Sequence, residues 1–130
     1  MRPQPSGQHG AVKGAISVTG TFSDFSAQFE EEGAAARFAA ELAEALANEG
    51  PGCVFARPLG MGGGAWVCAA LDAGADLAAL SQRTGSLLQG RPAFDPEGEF
   101  NTPWRETTAD IDDPAWCADS DGDLFVAYLG

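Results

Sequence analysis

The chain has 130 residues, 45% hydrophobic and 20% charged, which is enough for one core and too few for two comfortable domains. Nineteen carboxylates against seven Lys and Arg give a formal net charge of −12, which disfavours direct contact with DNA, RNA or an anionic membrane. No run approaches the roughly 18 consecutive apolar residues of a membrane span, and the first ten residues lack the apolar core of a secretory signal, so a soluble, cytoplasmic protein is expected.

Residues 1–10, MRPQPSGQHG, hold two prolines and two glycines with Met1 as their one bulky apolar residue, a flexible-leader composition. Residues 11–130 read as a single α+β domain. Ile16, Val18 and Phe22 fall at even offsets, and beyond Ser23-Asp24 a second alternation sets Phe25, Ala27 and Phe29 against Ser26, Gln28 and Glu30. A two-stranded hairpin is the first reading of this region and one long bent strand the second. Residues Glu31 to Glu49 carry Phe38, Leu42 and Leu46 at four-residue steps, widened by Ala35, Ala39 and Ala43, with Glu30 to Glu32 at the positive end of the helix dipole. Gly50-Pro51-Gly52 stops that helix. Cys53 to Ala56 and Ala65 to Leu71 read as strands joined by a glycine-rich loop, and Asp76 to Leu88 as a second helix, with Leu77, Leu80, Leu87 and Leu88 inward and Gly85 as a break.

From Arg91 to Pro114 four prolines and weak periodicity indicate an ordered loop, pinned to the core by Phe94, Phe100, Trp104 and Ile111. Ala115 to Asp119 and Asp123 to Tyr128 flank Ser120-Asp121-Gly122, a hairpin signal. The expected fold is α+β: an antiparallel sheet of about five to six strands with two helices packed on one face.

Little in the chain resembles a catalytic set, and no enzyme is expected. The single histidine, His9, sits in the leader without an orienting neighbour. Cys53, Cys68 and Cys117 are odd in number and widely spaced, so they read as reduced and buried rather than as a disulfide framework or metal knuckle. Gly60-Met61-Gly62-Gly63-Gly64-Ala65 matches a relaxed dinucleotide-binding pattern, yet Trp66-Val67-Cys68 continues as a strand and supplies no helix N-terminus for a pyrophosphate. Arg57, just before it, is placed to pair with a carboxylate across the sheet. Asp119, Asp121 and Asp123 have the first spacings of a calcium loop, but Leu124 and Gly130 stand where a glycine and a bidentate glutamate are needed. Neither cofactor nor metal is expected.

Charge is the most informative feature. Ten carboxylates against Arg105 alone put nine of the twelve net negative charges in the last 36 residues, interleaved with aromatic rings. Rings among acids are what a surface needs to anchor by burial while steering a basic partner. The expected contact surface is Glu97, Glu99, Trp104, Asp110, Asp112, Asp113, Trp116, Asp119 and Asp121. The expected function is that of a small acidic inhibitor, of immunity or antidefence type, occluding the basic groove of a toxin or nucleic-acid-acting enzyme. The alternative is a non-catalytic regulatory module that binds a metabolite or protein through Gly60 to Gly64.

Overall fold

Strand β1 is Gly20–Phe29, and it is the long bent strand rather than a hairpin. Ser23 and Asp24 favour turns only where no ladder competes for their backbone. Here both flanks of β1 are paired, to β3 (Ala65–Asp72) from Phe22 to Phe29 and to β4 (Thr102–Ala109) from Gly20 to Ser26. These strands belong to a computed structural model whose described residues are 20–49, 51–72, 74–109 and 122–129. The leader, His9, Ile16, Val18, Ile111 and the anticipated strand at 115–119 lie outside them.

Helix α1 is Glu32–Ala45, shorter than its apolar pattern because the next four residues tighten into turns. The guanidinium of Arg83 donates to the Ala45 carbonyl at 2.8 Å, satisfying one acceptor that the helix end leaves open. Strand β2, Gly52–Pro58, turns back through residues 59–64 into β3. Helix α2, Leu77–Leu88, starts where Asp76 accepts a hydrogen bond from the Ala79 amide at 3.1 Å, and it runs unbroken through Gly85. Glycine's weak helix propensity, the ground for expecting a break there, costs only about 1 kcal/mol and yields to the burial of Leu80 and Thr84 on the inner face.

The five strands form one open antiparallel sheet in the order β4-β1-β3-β2-β5, where β5 is Phe125–Leu129. Both helices pack on one face, over Phe25, Ala27, Phe29, Val54, Val67, Ala69 and Leu71. β4 replaces part of the loop expected after Arg91. Its register shifts against β1 so that Pro103 and Trp104 together oppose Phe25, a bulge that places a residue without an N–H at the sheet edge. The hairpin reading pairs the Asp123-to-Tyr128 strand with 115–119; the partner seen among the described residues is β2.

Candidate functional site

Because side chains alternate along a strand, the ladder sorts the sheet into rows. On the face without helices, Gln28, Trp66 and Arg57 form one row across β1, β3 and β2. The next row runs Thr102, Ser26, Cys68, Phe55 and Val126 across all five strands, and the third Arg105, Asp24, Ala70, Cys53 and Tyr128. Phe55, Cys68 and Ala70 are buried here, a second apolar cluster on the far side of the sheet from α1 and α2.

The segment 89–101 runs past the end of β1, and its Glu99 and Phe100 wall this face. Its hydrogen bonds run to the end of β1: Glu30 N–H to the Ala93 carbonyl, Asp95 N–H to the Gln28 carbonyl, and Gln28 N–H to Asn101 Oδ1. Phe94 packs on Phe29 on the helix side. Phe100 goes the other way: its carbonyl accepts from Ser26 Oγ, and its ring tilts against Trp66 with centroids 5.7 Å apart. Trp66 meets Phe55 edge-on at 5.4 Å. The result is a groove of about 440 Å³ with three aromatic rings, Cys68 in its floor, and Glu99 and Arg105 among its lining residues.

The two arginines that line the groove are each paired with a carboxylate. Arg57 lies over the Phe55 ring, 4.1 Å from its centroid, and donates to both oxygens of Asp123 at 2.6 and 3.3 Å, the cross-sheet partner its position calls for. Asp24 accepts from Arg105 Nε at 3.2 Å and from Thr107 Oγ1 at 2.9 Å. Cys68 is neutral at any physiological pH, because burial and the nearby Asp24 charge push its thiol far above the usual range. It is therefore a poor nucleophile.

Of the residues expected to meet a partner, Glu97 and Glu99 are exposed and Glu99 lines the groove. Trp104 is not a surface residue. Only 7% exposed, it stacks on Phe25 at 5.5 Å and donates its indole N–H to Thr84 Oγ1 at 2.9 Å, since the bulge turns it to the helix side. Asp110, Asp112, Asp113, Trp116, Asp119 and Asp121 lie outside the described residues. Phe100, expected to pin the loop to the core, is instead the exposed ring beside the acids. The alternation of Phe55 with Arg57 and of Trp66 with Cys68 signals shared faces; that β3 sits between β1 and β2 is what joins them to Phe100 and Arg105.

One cysteine differs from expectation. Cys68 is a buried free thiol, as expected, whereas Cys53 is disulfide-bonded rather than reduced. Asp123 is engaged by Arg57, and no cluster of three metal-ligating side chains occurs among the described residues. The glycine loop serves its turn. Gly60, Gly62 and Gly64 have φ between +75° and +85°, and a Cβ on Gly64 would strike the Phe29 carbonyl. The loop leads directly into β3, so it presents no helix N-terminus to a phosphate.

The class these observations define is a small α+β protein whose open antiparallel sheet carries helices on one face and an aromatic groove on the other. Compared with known protein families, curated proteins and solved structures, the chain matches none of them. Among the described residues no helix is long and apolar enough to cross a membrane.

Proposed function

We propose that this chain is a small acidic inhibitor that binds a basic protein, of the immunity or antidefence kind, through the helix-free face of its sheet. The observation that carries the reading is the pairing of exposed Glu97 and Glu99 with the half-exposed Phe100 at the wall of an aromatic groove, on a chain of net charge −12. Anchoring rings supply buried area, and the surrounding acids steer a cationic cleft and speed encounter. The partner class is an enzyme with a basic substrate groove, such as a toxin that acts on nucleic acid. The Cys53 disulfide weighs against a reducing cytosol and toward an oxidising compartment as the place of action.

The test is to cross-link the protein to its neighbours in source cells at low salt, purify the partner, and assay both together. The reading expects the partner's activity to be lost at equimolar ratio and its association rate to fall at least about tenfold from about 20 to about 300 mM salt. An unchanged partner activity, or an on-rate indifferent to salt, would contradict it.

A further inference from the structure

Resting on that reading, we propose that the groove receives one aromatic side chain of the partner, flanked in the partner's chain by lysine or arginine. The walls select the ring. Trp66, half-buried, and Phe100, 39% exposed, tilt against each other at 5.7 Å and keep ring surface open to the groove, where a further ring adds stacking energy to area burial, while buried Phe55 backs Trp66 edge-on at 5.4 Å. At about 440 Å³ the groove falls in the size range of sites that enclose a small organic group, ample for an indole or phenol.

The charges select the flanks. Arg57 is held by Asp123, and Arg105 by Asp24, so each cation on the lining is answered by its own carboxylate. Glu99 at the rim, and Glu97 two residues before it, form no ion pair with the described basic residues. An incoming group therefore meets a neutral floor and a negative rim, which favours a ring bordered by cations over one bordered by acids. With Cys68 protonated in the floor, no covalent step is involved.

The full chain, labelled with ¹⁵N, tests this by titration with three capped tripeptides: Lys-Trp-Lys, Glu-Trp-Glu and Lys-Ala-Lys. Expected is saturable movement of the Trp66 indole N–H and of the Phe55, Cys68 and Phe100 amides by Lys-Trp-Lys alone, at roughly millimolar affinity. Phe100→Ala should weaken it about tenfold, and Glu99→Gln about two- to fivefold, with resonances of α1 and α2 unmoved. Binding of Glu-Trp-Glu or Lys-Ala-Lys as tight as that of Lys-Trp-Lys would overturn the proposal. So would shifts by Lys-Trp-Lys confined to residues outside the groove, a result that leaves the basic-partner reading standing.

Discussion

Trp104 shows how one side chain can change the reading of a surface. An aromatic residue between Pro103 and Arg105, in a stretch rich in acids, has the local signature of an interface anchor, yet its indole is buried and bonded to Thr84. The bulge opposite Phe25 decides its direction, and no local pattern announces a bulge. Thr84→Val would leave the indole N–H unpaired in the core, and a loss of about 1–3 kcal/mol is expected in urea melts with an unchanged m-value. Glu41 behaves differently because it is exposed. Two hydrogen bonds from Arg91, at 2.6 and 3.0 Å, hold its carboxyl below the ordinary value of 4.5. The unfolded chain therefore takes up that proton more readily, so the pair's contribution is complete above 4.5 and is lost as pH falls through the lowered value. Glu41→Gln should remove that part of the acid dependence by lowering stability slightly near neutrality, where the pair is formed, while leaving the acid end unchanged, as thermal melts from about pH 3 to about pH 7 would record.

At the scale of elements, the strong periodicities were legible and the edges were not. Phe38, Leu42 and Leu46 mark α1, and the apolar runs of β2 and β3 mark the two inner strands, because burial repeats along each element with its own period. β4 escapes such reading. Thr-Pro-Trp-Arg-Glu-Thr-Thr-Ala holds one buried ring, a proline and a register shift, and an edge strand needs little apolar alternation to form. The same logic explains Gly85, whose Cβ position is open space inside a continuous helix. Gly85→Ala should stabilise the fold by about 0.5–1 kcal/mol, seen as a raised urea midpoint. Gly64→Ala should do the reverse by several kcal/mol, because both its left-handed φ of +85° and the Phe29 carbonyl forbid a side chain.

For the whole molecule, net charge and size could be read at once, whereas the groove could not. It is assembled from β1, β2, β3, β4 and the 89–101 segment, and only the order β4-β1-β3-β2-β5 brings those together. The disulfide was likewise hidden, since spacing in sequence does not report spacing in a sheet. Cys68 should resist a thiol reagent in the native state, where it is buried and protonated, and react once the chain is unfolded. Reducing the Cys53 disulfide should lower stability by about 2–4 kcal/mol, compared in urea melts with and without a phosphine reductant. The central claim is that an acidic rim on the helix-free face guides a basic partner. The most direct measurement is the association rate with the purified partner, at low salt, for the natural chain and for the Glu97→Gln, Glu99→Gln double variant. The double variant should associate about two- to tenfold more slowly, with its dissociation rate and melting temperature nearly unchanged; equal on-rates for the two proteins would overturn the steering role of the rim.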